Sequence, residues 1–244
     1  YFSPAGNLLW STPDFFAEPS ISFERAKAST ASIFVTGSLV TAGGDYDGFV
    51  AGYDLDGDSL WAHYSGLDPS TGVFLQGVAL DSTGNKFVAF ANSDSTSYRK
   101  YSSAGNILFT RKSAAFVFPY QNELAADPDG NIYYMVGDML GNQRLQKRDP
   151  AGELVLDTVL GSGYIPFPVV YSRDGTLLTW NPAFKAAQYG LNGAFYWISD
   201  STYATHGDFT GATTSETYWI LYEYTADPSV LLRKLVKYDL QVAC

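Results

Sequence analysis

Three aspartates in one short turn are the residues best placed to bind a metal ion. Asp54, Asp56 and Asp58 alternate along the chain, and alternating carboxylates can converge on a hard cation such as Ca²⁺. The glutamate that completes an EF-hand loop is missing, and the related turns at residues 102–105 and 149–152 do not keep the alternating acids. Aspartate is also a common hairpin-turn residue because its side chain bonds to nearby backbone N–H groups. We therefore predict no metal site and no bound cofactor.

The chain has few side chains suited to nucleophilic or zinc chemistry. His63 and His206 are its two histidines, Cys244 is its one cysteine, and no Gly-x-Ser-x-Gly motif is present. A pair of carboxylates from separate parts of the chain could still cleave a glycosidic bond. We predict that the protein is not an enzyme and keep a glycoside hydrolase or lyase as the less favoured alternative. The acids for that alternative, which we place in connecting loops, are Asp14, Asp68, Asp157 and Asp208.

Aromatic side chains make up 16% of the chain and are the better candidates for binding chemistry. One set recurs four residues after a turn glycine: Trp10, Trp61, Phe109, Leu156 and Trp197. Because leucine is accepted in this position, the repetition predicts packing between repeats rather than stacking on a sugar. A second recurring set precedes predicted inner strands, and we expect these residues to be buried: Phe74, Phe118, Phe167 and Phe209.

A third group of aromatics lies in connections that differ from one repeat to the next. Tyrosine and phenylalanine there offer a rigid apolar face, and tyrosine adds a polar tip, which suits both protein and sugar ligands. We therefore predict that the ligand-binding residues are Phe16, Tyr64, Tyr120, Tyr164 and Tyr203.

These positions belong to a pattern that recurs along the chain. An aromatic residue is followed four positions later by glycine and then by an apolar segment, as in Tyr53 to Gly57 and Tyr101 to Gly105. Arg148 replaces the aromatic in one copy, and the marker positions are 41 to 51 residues apart. A second hairpin with an Asp-x-x-Gly-Asn turn lies between copies, at residues 81–85 and 127–131. Each repeat thus supplies two hairpins, or four strands.

Four antiparallel strands in each repeat of about 40–50 residues are typical of a β-propeller blade. We predict an all-β protein, a single five-bladed β-propeller of four-stranded blades spanning residues 1–244. The last predicted blade lacks its outer strand, so we expect the N-terminal strand to pair with the C-terminal blade and close the ring. The blades are predicted at about residues 21–66, 74–112, 120–159, 166–200, and 209–238 plus 1–10.

The segment at residues 44–61, Gly-Asp-Tyr-Asp-Gly-Phe-Val-Ala-Gly-Tyr-Asp-Leu-Asp-Gly-Asp-Ser-Leu-Trp, resembles the bacterial β-propeller repeats of the SBBP type. Residues 100–109 and the Asp-x-x-Gly-Asn hairpin at 127–133 fit the same family pattern, and later copies depart from it. The resemblance implies a binding or scaffold role on an extracellular, cell-surface or virion-associated assembly. It carries no catalytic residue onto this chain.

The charge of the chain excludes several classes of partner. A formal net charge of −10 repels phosphate backbones, so we expect no nucleic-acid partner. No apolar segment is long enough for a membrane span, and we expect no membrane insertion. We predict a non-enzymatic binding or scaffold module whose partner is a protein or a surface glycan, possibly within a larger assembly. A carbohydrate-binding lectin is the alternative, although its pockets should repeat from blade to blade, whereas these loops vary.

Overall fold

The computed structural model describes residues 20–29, 31–93, 95–114, 124–137, 140–162, 170–171, 175, 177–180, 186–198, 207–212, 216–224 and 231–239. The chain divides into two compact units, Tyr1–Gln121 and Asn122–Cys244. Helix in the described residues is limited to η1 (Pro69–Thr71), and none is long and apolar enough to cross a membrane.

The first unit contains two four-stranded antiparallel sheets in which sequence neighbours pair. Sheet 1 consists of β1 (Ser20–Ala28), β2 (Ile33–Val40), β3 (Tyr46–Tyr53) and β4 (Ser59–Tyr64). Sheet 2 consists of β5 (Phe74–Leu80), β6 (Lys86–Ala91), β7 (Ser95–Tyr101) and β8 (Ile107–Ala114).

The second unit contains three further antiparallel sheets within its described residues. Sheet 3 consists of β9 (Ala125–Ala126), β10 (Ile132–Gly137), β11 (Asn142–Arg148) and β12 (Leu154–Ser162). Sheet 4 consists of β13 (Val170–Tyr171), β14 (Leu177–Trp180), β15 (Ala186–Tyr189) and β16 (Phe195–Ile198). Sheet 5 has three described strands, β17 (Gly207–Ala212), β18 (Glu216–Tyr224) and β19 (Leu231–Asp239). Residues 1–10, predicted to complete it, lie outside the described part.

The glycine-bearing hairpin turns predicted from the sequence are confirmed. In the turn at 102–106, the Gly105 N–H donates to the carbonyl of Ser102 at 3.0 Å, and the Ser102 N–H donates to the carbonyl of Asn106 at 2.8 Å. The same pair of hydrogen bonds closes the turns that begin at Asp54, Asp81, Asp127, Asp149 and Gly190. Gly105 has φ +86°, a left-handed conformation that costs glycine little and other residues more. Each turn therefore fixes the register of the two strands that it joins.

Trp61 of β4 fills the space between sheets 1 and 2. Its ring stacks on Tyr101 of β7 with centroids 5.7 Å apart and an interplanar angle of 15°. A Cβ on Gly105 would lie 2.3 Å from Cγ of Trp61, and a Cβ on Gly52 would lie 2.5 Å from Cε2. Two glycines thus make room for one indole. The predicted packing role of this position is confirmed here, although Trp61 is partly rather than fully buried.

The same position in sheet 3 is also a packing position. Leu156 is half buried and packs against a core formed by residues of sheets 3 and 4, including Tyr133, Leu145 and Tyr189. In the first unit the corresponding core includes Phe34, Val50, Val88, Phe90 and Tyr101. The side chains of Trp10 and Trp197 lie outside the described residues.

Two predictions about single residues are wrong. Phe74 was expected to be a buried plug, but 45% of it is exposed, because it begins β5 beside the chain end of another strand rather than behind it. Asp157 and Asp208 were expected in loops, but they lie within β12 and β17. Asp157 is held there by Arg144, whose Nε donates to its carboxylate at 2.8 Å. These two acids therefore do not belong to a set of loop carboxylates.

Candidate binding surface

A pair of exposed aromatic rings marks one end of sheets 1 and 2. Tyr46 opens β3 and Phe74 opens β5, and their rings stack with centroids 6.5 Å apart at 22°. Tyr46 is 52% exposed and Phe74 is 45% exposed. The N–H of Val73 donates to the carbonyl of Tyr46 at 3.0 Å, so the two strand ends are tied together by the backbone. The pair presents apolar surface on a fixed base.

The connection that leads to Phe74 is shaped by a short capped helix. Asp68 precedes η1, and its carboxylate accepts hydrogen bonds from the N–H of Ser70 at 3.0 Å and from the Ser70 hydroxyl at 2.7 Å. These hydrogen bonds hold the pKa of Asp68 below its ordinary value of 3.8, so the carboxylate is charged at neutral pH. Gly72 ends the helix with φ +67°, and its N–H donates to the carbonyl of Pro69 at 2.9 Å. The sequence Asp-Pro-Ser-Thr-Gly thus encodes the bend by itself.

Beneath the aromatic pair lies a buried carboxylate. Asp47 accepts hydrogen bonds from the Gly48 N–H at 2.7 Å and from the Ser65 hydroxyl. The Ser65 oxygen in turn accepts from the N–H of Leu67 at 3.1 Å. Burial raises the pKa of Asp47 above 3.8, while the bonds from Ser65 and Gly48 and the charge of Arg99 partly offset it. This network fixes the start of the β4–β5 connection to the start of β3.

Arg99 of β7 reaches from sheet 2 to the same connection. Its Nη1 donates to the carbonyl of Tyr64 at 2.9 Å. The guanidinium lies against Gly66, where an added Cβ would fall 2.0 Å from Nη2. Gly66 has φ +67°, so both its conformation and its contact favour glycine. The exposed Tyr64 side chain is thus carried on a backbone that both sheets hold.

One of the five predicted ligand residues therefore lies on a described surface. Tyr64 ends β4 and is 42% exposed, and its backbone carbonyl is part of the network just described. The other four, Phe16, Tyr120, Tyr164 and Tyr203, lie outside the described residues, so they stay predictions. Sequence reasoning missed Tyr46 and Arg99 and assigned Phe74 to the core. The polar stretch at residues 43–47 before β3 was the available signal for an exposed Tyr46.

The chemistry of the described residues is suited to binding. No group of three His, Cys, Asp or Glu side chains that could hold a metal ion occurs among them. Asp54 instead caps its own turn, since its Oδ1 accepts from the N–H groups of Asp56 at 2.9 Å and Asp58 at 2.8 Å. His63 lies inside, stacked on Tyr101 with centroids 5.3 Å apart, and its Nε2 is 2.9 Å from the carbonyl oxygen of Gly105. Each of these groups already serves the fold.

A cleft of about 560 Å³ lies at the turns on the other end of the strands. It is lined by small residues of the turns at 29–32, 82–84 and 103–104. Its hydroxyl groups are engaged within the turns: the Ser29 oxygen accepts from the Ser32 N–H at 3.1 Å, and the Thr83 hydroxyl donates to Asp81 at 2.7 Å. The cleft has no aromatic wall for a ligand ring, so it is the weaker candidate.

Solved structures with related folds are β-propeller-like proteins. Catalytically inactive virginiamycin B lyase from Staphylococcus aureus, solved with quinupristin, has a TM-score of 0.58 and 12% identity over 93% of this chain and 73% of that chain. The WD40 domain of Neurospora crassa Pan2 has a TM-score of 0.58 and 12% identity, covering 97% of this chain and 65% of that chain. BamB from Moraxella catarrhalis has a TM-score of 0.56 and 10% identity, covering 88% and 58%.

These comparisons show a general fold type. The chain is an all-β protein of the β-propeller type, built from antiparallel sheets. At 10–12% identity the likeness carries no residue and no activity from those proteins to this one. No protein-family profile matches the chain, and no curated protein matches it in sequence. The resemblance to SBBP-type repeats therefore stays a prediction.

Proposed function

We propose that this chain is a non-enzymatic binding or scaffold β-propeller that recognises a protein partner through the aromatic surface of Tyr46, Tyr64 and Phe74. The observation that carries the proposal is the stacked pair of exposed rings, Tyr46 and Phe74, on a base fixed by hydrogen bonds. Aromatic side chains bury much area for little lost side-chain entropy, and a fixed base lowers the entropic cost of binding further. Exposed aromatics of this kind are frequent anchors of protein interfaces.

The surroundings of the rings favour recognition over catalysis. Asp68 is committed to capping η1, and Asp47 is buried under hydrogen bonds from its own network. Arg99 is held against Gly66 and the Tyr64 carbonyl, where it stiffens the surface. We infer an extracellular role, as a recognition or structural module of a cell-surface or virion assembly, from the resemblance to SBBP-type repeats and from the acidic composition.

The finer architecture is part of the proposal. We infer that the five sheets are blades of one five-bladed ring, with residues 7–10 as the outer strand next to β19. The support is that sheets 1 to 4 each have four strands in sequence order, whereas sheet 5 has three described strands. An unfilled edge would leave backbone groups unpaired. Deletion of residues 1–10 should then lower the melting temperature and broaden the transition, and an unchanged melting curve would contradict ring closure.

The functional test compares surface variants in a binding experiment. Immobilised wild-type chain, Tyr46→Ala, Phe74→Ala and Tyr64→Ala are exposed to extract from the native source, and captured proteins are identified by mass spectrometry. Leu108→Ala is the matched control, since it removes an equally exposed apolar side chain elsewhere. The proposal expects a partner held by wild type and Leu108→Ala and lost by the aromatic variants, all of them folded. Binding to a glycan array but to no protein would support the lectin alternative instead.

A further inference from the structure

The outermost strand of sheet 3 has an open edge. β12 lies at the end of the order β12-β11-β10-β9 and pairs with β11 along its full length, from Ser162 opposite Asn142 to Leu154 opposite Arg148. Within the described residues, no strand pairs with its other side. An edge strand presents a row of backbone N–H and C=O groups that can pair with another chain. With nine residues, β12 is long enough to accept one.

The edge of β12 lacks the protection that the edge of β8 has. β8 is the outer strand of sheet 2 and contains Arg111 and Lys112, and charged residues on edge strands discourage pairing with other chains. β12 contains no lysine, arginine or proline. Its Val155 is 55% exposed and its Val159 is 49% exposed. Of these two outer strands, β12 is the unprotected one.

The strand is held firmly in place from its other face. Exposure alternates along residues 155–160, and the inward side chains Leu156 and Leu160 pack against the buried core of the unit. Irregularities in the pairing with β11 occur near both ends, and the register from Leu156 to Val159 between them is regular. A fixed, regular segment gives an added strand a template that needs little ordering.

The exposed side of β12 alternates acidic and apolar side chains. Glu153 and Asp157 alternate with Val155 and Val159, and all four are exposed. Arg144 balances the charge of Asp157 through a contact of 2.8 Å, and the chain as a whole carries a net charge of −10. A strand that alternates basic and apolar side chains on its facing side complements this pattern in charge and in polarity.

We propose that β12 binds an extended segment of a partner protein by strand addition, and that this segment alternates basic and apolar residues on one face. Backbone hydrogen bonds supply the affinity of such pairing, and the alternating side chains supply its specificity. A second copy of this chain fits less well, because both copies carry the charge of −10 and would bring acidic strands together. This surface is separate from the aromatic surface and does not depend on its role.

The probe is a fluorescent synthetic peptide of the sequence Lys-Thr-Val-Thr-Lys-Thr-Val-Thr, titrated onto the full chain and followed by anisotropy. The control peptide has the same sequence with N-methyl groups on alternate residues, which removes backbone donors. Val155→Lys and Val159→Lys place guard charges on β12, and Leu108→Lys places one on β8. Amide hydrogen exchange across residues 154–162 reports whether the backbone of β12 becomes protected on binding.

We expect the unmodified peptide to bind and to slow exchange in β12, and each guard variant of β12 to weaken binding at least tenfold. Leu108→Lys should bind as wild type does. If a lysine variant fails to fold, Val159→Thr tests the same contact with a residue that favours strands. Equal binding of the N-methylated peptide, protection outside β12, or no binding would overturn the proposal. Self-association of the wild type that Val159→Lys abolishes would also overturn it and assign the edge to a second copy.

Discussion

In sheet 2 the turn aspartate is paired with a lysine, whereas in sheet 3 its counterpart is paired with a tyrosine. Oδ2 of Asp81 lies 3.3 Å from Nζ of Lys100. Oδ2 of Asp127 accepts a hydrogen bond from the hydroxyl of Tyr133 at 3.0 Å. Phe87 stands where sheet 3 has Tyr133, at the same distance from the aspartate in sequence, so sheet 2 lacks that hydroxyl. A buried carboxylate keeps a donor in both sheets, although the donor residue differs.

A second pair of positions follows the same rule. The carbonyl of Gly105 in sheet 2 lies 2.9 Å from His63 Nε2 of sheet 1. The carbonyl of Gly152 in sheet 3 accepts instead from Nη1 of Arg148 in its own sheet, at 2.8 Å. Nε of Arg148 also donates to the Tyr134 hydroxyl at 2.8 Å. Arg148, which breaks the aromatic pattern of the repeat, therefore supplies the hydrogen bonds that this turn needs. The repeats preserve satisfied polar groups more strictly than residue types.

The largest expected effect tests how tightly sheet 1 packs on the turn of sheet 2. In Gly105→Ala the new Cβ would overlap the ring of Trp61, and φ is +86°. In Gly84→Ala the conformation is similar, with φ +79°, but the nearest atom, Cβ of Ser103, is 3.9 Å away. We expect Gly84→Ala to cost about 1–2 kcal/mol for the left-handed backbone, and Gly105→Ala to cost about 1–3 kcal/mol more through overpacking.

Urea denaturation of the two alanine variants measures this difference directly. Trp61→Phe combined with Gly105→Ala is the matched rescue, because a smaller ring leaves room for the added methyl group. Equal losses of stability in Gly84→Ala and Gly105→Ala would mean that Trp61 does not rest on this turn.

The next effect tests whether Arg148 has replaced an external partner. Arg148→Tyr restores the residue type of the repeat but removes both donors, leaving the Gly152 carbonyl and the Tyr134 hydroxyl without them. We expect a loss of about 2–3 kcal/mol, since hydrogen bonds from charged groups contribute about 1.5–3 kcal/mol each. Lys147→Met, which removes a cation 5.2 Å from the ring of Tyr133, is the control and should cost less. If the tyrosine variant were as stable as wild type, the consensus residue would be the better one.

The sequence predicted the parts of this fold that depend on local chemistry. Glycine at the turn position and the alternation of small and large strands specify hairpins, because few residues tolerate φ near +86°. The recurring position of Trp61 indicated packing because repetition of an apolar residue reflects a stacked core. These inferences need no knowledge of distant contacts.

The candidate surface depended on contacts that the sequence does not encode locally. Phe74 follows a predicted connection and looks like other aromatics before inner strands, yet the backbone tie from Val73 to Tyr46 places it at the surface. Arg99 joins a connection 35 residues away. Asp157 looked like a loop acid because β12 is longer than its repeat counterpart β4. In each case the deciding partner is distant in sequence.

The smallest expected effect exchanges the donors of sheets 2 and 3. Lys100→Met removes the cation beside Asp81, and we expect a loss of about 1–2 kcal/mol at neutral pH, because Thr83 and Asn85 still donate to the carboxylate. Phe87→Tyr should recover part of that loss by supplying the hydroxyl that Tyr133 supplies to Asp127. In a double-mutant cycle the two changes should be coupled favourably by about 0.5–1 kcal/mol. Additive effects would contradict the equivalence of the two donors.

The dependence on pH provides a second measurement for the same cycle. Burial alone would raise the pKa of Asp81, but hydrogen bonds from Thr83 and Asn85 and the charge of Lys100 outweigh it and hold the pKa below 3.8. A carboxylate whose pKa is lowered by folding stabilises the fold above its unfolded value, and this contribution is lost as the pH falls through the folded value. The loss of stability in Lys100→Met should therefore be full above about pH 5 and should shrink below pH 3.8, as Asp81 takes up a proton in both proteins. A penalty that stays constant down to pH 2 would show that Lys100 acts through packing on Phe87, 4.5 Å from its ring, rather than through the carboxylate.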